Sequence, residues 1–154
     1  MLPTHFEEFE AGQTFEFGSV TLSEAEIIEF AETYDPQPFH VDPEAAAESM
    51  FGGLIASGWQ TCAVSMRLLA DNLLNETASL GASGVDELRW HRPVRPGDTL
   101  SVRVEVLDTE PAANDPNRGH VRYEFSAFNQ DDDRVLSMEA LGMFARVPCG
   151  PGTR

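Results

Sequence analysis

The sequence predicts an α+β domain, with helices concentrated in its first half and antiparallel strands in its second. Three observations predict it. Apolar residues recur at helical spacing in two stretches before residue 75, and a proline-rich segment separates them. From about Gly84 onward the pattern changes to alternation with a period of two. The chain has 154 residues, the length of one domain. A globule of this size buries roughly 70% of the surface its extended chain would expose, so a single core needs no disulfide or metal.

Taken in order, Thr14 to Val20 sets Phe15 and Phe17 against polar neighbours and reads as a first strand. Thr21-Leu-Ser-Glu24 reads as a capping box that opens a helix. Ile27, Phe30, Ala31 and Tyr34 form its apolar face, Glu24, Glu29 and Glu32 its outer face, and Pro36 stops it. Residues 34–43, YDPQPFHVDP, hold three prolines, which predicts a stiff loop without regular helix. Pro43 followed by EAAAE suits the first turn of a short helix, broken at Phe51-Gly52-Gly53. Trp59 to Leu74 carries apolar residues on most faces and reads as a central helix buried by its surroundings.

The strand half follows. Val85–Pro93 is one strand, RPGD at 95–98 a tight turn, and Leu100–Leu107 the next strand. In that strand Leu100, Val102, Val104 and Val106 share one face. Residues 110–119 form a polar turn, His120–Phe128 a third strand, Asp131-Asp132-Asp133 a hairpin turn, and Val135–Val147 the last strand. Residues 148–154 read as a frayed tail. Four meandering strands curling round one long helix make a hotdog fold.

Composition excludes several functions. There are 26 acidic residues against 10 basic ones, a net charge of -16, and every basic residue is Arg. Nucleic-acid binding needs a basic stripe, and docking on anionic lipid needs a basic patch, so neither is expected. Such an acidic, Lys-free composition fits a GC-rich genome or a high-salt cytoplasm. No apolar run approaches the ~20 residues of a membrane helix, and the N-terminus lacks the pattern of a signal peptide. The two cysteines, Cys62 and Cys149, form no C-x-x-C pair and read as free thiols in a reducing compartment. A cytoplasmic location is the expectation.

The informative chemistry lies at Asp35, His40 and Asp42. Asp35 and His40 are separated by a segment that includes Pro36 and Pro38. Prolines pre-set the backbone, so the two side chains are held in a fixed relation at little entropic cost. A carboxylate beside an imidazole can share one water, each group acting as base or acid in turn. The residues alone favour an Asp-Pro turn with an ordinary loop histidine. A metal site at Asp35, His40 and Asp42 is disfavoured, because no further His or Cys stands at matching spacing.

The segment Asp35-Pro-Gln-Pro-Phe-His-Val-Asp-Pro43 resembles the MaoC-like (R)-specific enoyl-CoA hydratases. Phe51-Gly-Gly-Leu-Ile-Ala-Ser-Gly58 and Leu88-Arg-Trp-His-Arg-Pro-Val-Arg-Pro-Gly-Asp98 are similar to sequences of that family as well. The similarity runs from about residue 6 to residue 147, which makes residues 1–147 one MaoC-like hotdog domain. The resemblance implies a homodimer or higher homo-oligomer, with Asp35 and His40 as the catalytic pair. They would activate a water for syn addition across a trans-2-enoyl thioester, giving an (R)-3-hydroxyacyl thioester, or run the reverse dehydration. It also implies that the backbone N–H of Gly58 polarises the thioester carbonyl, as the partial positive charge at a helix start permits. No metal or redox cofactor is implied; coenzyme A enters as the carrier of the acyl substrate.

Three positions depart from the family pattern. Gln37 stands where Asn is usual, and Ser57 where His is common. Met66 occupies the place of a helix serine found in some relatives. Gln37, Phe39 and Ser57 are expected in the substrate pocket, where Phe39 is bulkier than the usual Leu. Arg89, Arg92 and Arg95 either meet coenzyme A phosphates or pair with neighbouring carboxylates, and the pairing is preferred. His91 is expected in packing or an interface, and Met50, Met66 and Met143 in the core. Two rivals remain. A hotdog thioesterase would need an acid on the central helix, where only Asp71 is available, late in the helix. A non-catalytic acyl-binding dimeric module would not need the Asp35/His40 pair.

Overall fold

A computed structural model describes residues 1–148. The expected tail at 148–154, with Cys149, lies outside the described residues except for Pro148. After a short N-terminal turn, strand β1 spans Thr14–Thr21 and helix α1 spans Glu24–Tyr34. Ser23 caps α1: its Oγ accepts the Glu26 N–H at 3.1 Å, and Glu26 Oε1 accepts the Ser23 N–H at 3.1 Å. The capping box therefore sits two residues later than Thr21–Glu24. Ile27 and Ala31 are fully buried, and α1 ends at Tyr34, ahead of Pro36.

The proline-rich segment contains a helical turn that the sequence reading excluded. Helix α2, Pro38–Val41, is a single turn with Pro38 at its first position, where a missing N–H costs nothing. Asp42 then caps helix α3, Pro43–Glu48, accepting from the N–H groups of Glu44 (3.0 Å) and Ala45 (3.3 Å). Asp42 is thereby turned to backbone duty.

The central helix α4 spans Gly58–Asn72 and is followed by one tight turn at Leu74–Glu76. Its buried face is Gln60, Thr61, Ser65, Leu68 and Leu69, a partly polar set, while Trp59 is 59% and Met66 45% exposed. The expectation of a helix buried on most faces is corrected: one stripe faces the core and an apolar stripe stays open. Met50 is also exposed and Met143 only half-buried, so these methionines are not core residues as expected.

The remaining strands are β2 (Ser79–Trp90), β3 (Thr99–Pro111), β4 (Arg118–Phe128) and β5 (Arg134–Ala145). All pair antiparallel in one sheet of order β1-β3-β4-β5-β2. The meander is β3-β4-β5 only. β2 crosses to the far edge and pairs with β5, which corrects the expectation of four consecutive hairpin strands. Val104 lies opposite Phe125, which lies opposite Met138, so the inward residues stack across the sheet. Leu100, Val102, Val104 and Val106 all face the core, in one cluster with Leu68 and Leu69 of α4 and with Leu73 just beyond it. The sheet thus wraps the central helix in a hotdog fold. No helix among the described residues is long and apolar enough to cross a membrane.

Two backbone bonds bring the site together. The Ile55 N–H donates to the Phe39 carbonyl (3.1 Å) and the Ala56 N–H to the Val94 carbonyl (2.8 Å). The segment leading into α4 is strapped between α2 and the β2–β3 connection.

Candidate active site

Asp35 closes α1, its N–H donating to the Ala31 carbonyl at 2.8 Å, and the chain turns at once through Pro36. His40 sits on α2 and is 4% exposed. Its Nδ1 lies 2.8 Å from the Ile55 carbonyl oxygen. A carbonyl only accepts, so Nδ1 carries a proton and Nε2 is the nitrogen turned toward Asp35. Nε2 stands 3.3 Å from Asp35 Oδ2. The structure therefore brings together the two side chains that the sequence singled out.

Asp35 has two further partners. Gln37 Nε2 donates to Oδ1 and Ser57 Oγ donates to Oδ2, each at 2.7 Å. Burial pushes the Asp35 carboxyl up, but the Ser57 and Gln37 hydrogen bonds and the charge of His40 outweigh it. The net result lies below the usual carboxylate range, so Asp35 is an ionised base at neutral pH.

The pair opens on a cleft of about 370 Å³. Phe39, Phe51, Trp59 and Trp90 give it aromatic walls, and Gln37 and Gly58 also line it. Gly58 is the first residue of α4, and no hydrogen-bond acceptor among the described residues meets its N–H. Ser57, expected in the pocket, is fully buried and is not among the residues that line this cleft; it caps α4 through the Trp59 N–H (3.3 Å).

Trp90 was missed. Its indole N–H donates to the Gly58 carbonyl at 2.9 Å, and its ring lies against the Gly58 Cα. A Cβ at position 58 would stand 2.5 Å from Trp90 Cε2. Glycine is required there by this close approach, whatever a substrate demands. The contact joins residues 32 apart, and no local pattern announces it.

His91 is also placed differently from expectation. It follows the end of β2 and lines the cleft, with Nε2 2.7 Å from Ser137 Oγ. Burial, then the charges of Arg134 and Arg89, hold its imidazole below the usual histidine range against an opposing Glu124. The arginines take the preferred reading in the main. Arg89 pairs with Glu87 (3.2 Å) and Arg92 with Asp133 (3.6 Å), while Arg95 donates to the Phe51 carbonyl (2.6 Å). Asp71, the acid a thioesterase would need, is exposed, pairs with Arg67 at 2.6 Å and lines no part of the cleft. Burial pushes the Cys62 thiol above the usual thiol range, which disfavours the thiolate. Among the described residues, no group of three or more His, Cys, Asp or Glu is arranged to hold a metal ion.

Comparison with known proteins places these features in a family. A model of the MaoC like domain matches residues 7–127. Uncharacterized protein YdeM of Bacillus subtilis (strain 168) is 35% identical over 133 residues, covering 86% of this chain and 93% of that protein. The crystal structure of the MaoC-like dehydratase from Rhodospirillum rubrum superposes with a TM-score of 0.87 at 39% identity, covering 94% of this chain and 99% of that one. The unliganded R-hydratase PhaJ1 from Pseudomonas aeruginosa superposes with a TM-score of 0.73 at 30% identity, over 97% and 94% of the two chains. This chain belongs to the MaoC-like domain family.

Proposed function

We propose that this protein adds water to a trans-2-enoyl thioester to give an (R)-3-hydroxyacyl thioester, and catalyses the reverse dehydration, with coenzyme A as the acyl carrier. The observation that carries the reading is the Asp35–His40 pair, 3.3 Å apart on the wall of a cleft that Gly58, the first residue of α4, also lines. The R-hydratase and dehydratase among its structural neighbours support the same reaction class.

The geometry suits the chemistry. In the form of the pair that takes up a proton, His40 offers a lone pair at Nε2 and Asp35 only lone pairs. Two acceptors this close are reconciled by a water that donates one hydrogen to each. That water's own lone pair then faces the cleft, aimed at C3 of an enoyl chain. As its oxygen bonds to C3, one proton passes to the pair, and the C2–C3 π electrons move onto the thioester oxygen. The Gly58 N–H at the start of α4 stabilises that developing enolate, a kind of contact worth ~3 kcal/mol. The enolate then collapses and takes the proton at C2 from the same face. Addition is syn, and the pair returns to its starting state. The sequence forms one C–O and one C–H bond from water and the double bond with no net oxidation or reduction, so it draws on no redox cofactor.

The active form is a homodimer. β2 lies at the sheet edge, nearly all of it exposed, with Leu80, Val85 and Trp90 open. Trp59 and Met66 of α4 add to the exposed apolar surface. A long, apolar, unpaired edge is the kind of surface a second copy covers.

The test is incubation with crotonyl-CoA and with a longer enoyl-CoA, following loss of the enoyl absorbance. Loss of absorbance with the thioester intact supports the reading. Release of free coenzyme A without hydration overturns it in favour of a thioesterase.

A further inference from the structure

We propose that Ser57 is a positioning residue for the catalytic pair, its hydroxyl fixing the Asp35 oxygen that faces His40. This rests on the reaction proposed above, and the residue acts through Asp35 without meeting the substrate.

A serine hydroxyl has one hydrogen, and a carboxylate can only accept. The 2.7 Å contact therefore commits that hydrogen to Asp35 Oδ2. The Ser57 oxygen in turn accepts the Trp59 N–H at 3.3 Å, in the first turn of α4. The chain N–H to O–H to carboxylate runs in one direction, so each bond polarises the next. It extends the positive end of α4 to the carboxylate, while the neighbouring Gly58 N–H remains free for a substrate oxygen.

Burial separates Ser57 from the other donor. Gln37 holds Oδ1 from an exposed position, where water can replace it. Ser57 is 0% exposed, and solvent cannot take its place. Oδ2 is also the oxygen 3.3 Å from His40 Nε2. Ser57 thus sets both the direction and the ionisation of the oxygen that must share a water with His40. The titratable and charged groups facing Asp35 are His40 from α2 and, on the shared cleft, His91 and Arg92. None of them is bonded to Ser57.

The experiment compares wild type with Ser57→Ala and Ser57→Gly. Glycine is an acceptable helix cap, so Ser57→Gly removes the donor to Asp35 while keeping the start of α4. Two readouts are taken: NMR titration of the Asp35 carboxyl carbon, and the pH profile of kcat on crotonyl-CoA. The Asp35 titration is expected to move up by roughly one pH unit or more. The acid limb of kcat moves with it, kcat on the plateau falls about tenfold, and KM stays within about twofold. An Asp35 titration that does not move in Ser57→Gly overturns the proposal. A wild-type protein inactive on enoyl thioesters would remove the proposed reaction, and the NMR titration would still decide the role of Ser57.

Discussion

Gly58→Ala is the substitution whose cost the structure fixes most closely. The new Cβ would stand 2.5 Å from Trp90 Cε2 and 2.6 Å from Nε1. Carbon atoms rest ~3.5–4.0 Å apart, so the indole must retreat by about 1 Å. That movement breaks the 2.9 Å bond from the indole N–H to the Gly58 carbonyl. Overpacking costs ~1–3 kcal/mol and the lost bond ~1 kcal/mol. Trp90 stands at the end of β2 and is 45% exposed within its own chain, so few of the chain's own atoms resist its displacement, which favours the low end of the range. The expected loss is about 2 kcal/mol, a fall in Tm of roughly 4–8 °C. Thermal and urea denaturation of Gly58→Ala, Trp90→Ala and the double variant measure it. In the Trp90→Ala background the same substitution should cost under ~0.5 kcal/mol, a coupling of about 1.5 kcal/mol. An equal cost in both backgrounds would refute the clash as the reason for glycine.

Two further outcomes are expected. Because the folded Asp35 carboxyl lies below its ordinary range, it contributes stability that is present above ~pH 4 and lost as pH falls through the folded value. The urea midpoint difference between wild type and Asp35→Asn should therefore shrink below ~pH 4, and a difference that grows on acidification would contradict this. Val85→Glu places a charge on the free edge of β2 without touching the core, since Val85 is 51% exposed. Size-exclusion chromatography with light scattering should show a shift from dimer to monomer with unchanged circular dichroism, and an unchanged mass would place the interface elsewhere.

The parts of the fold that were legible in the sequence are those with local causes. The alternation from Leu100 to Val106 translated directly into one buried face of β3, because one side of that strand meets the core. Helix α1 was legible from its periodicity and from Pro36, with its cap displaced because Ser23 competes with Thr21 for the same role. β2 was not legible in the same way. Both of its faces are exposed, its pairing with β5 slips three times, and Glu87 adopts a φ of 53°. Such a strand has no reason to alternate, and its partner is chosen by distant contacts. The exposed Trp59 and Met66 misled because an apolar residue is not a sure sign of burial, much of a folded protein's surface being apolar.

The site shows the same division. Asp35 and His40 were legible through the resemblance of the proline-rich segment 35–43 to a known family, since the residues alone also suit an Asp-Pro turn with a loop histidine. Ser57 behind Asp35 and Trp90 over Gly58 were not, since each bond spans more than 20 residues and depends on how α4 meets its neighbours. Gln37, a departure from the family pattern, turns out to reach the carboxylate from its own loop.

The central claim is that Asp35 and His40 act together on one water. The most direct measurement is the rate of crotonyl-CoA hydration by Asp35→Asn and His40→Ala, with each variant shown to be folded by its melting curve. Both should lose at least about a thousandfold in kcat, and the double variant little more, as expected of groups that work as a unit. Near wild-type turnover in either single variant would contradict the account.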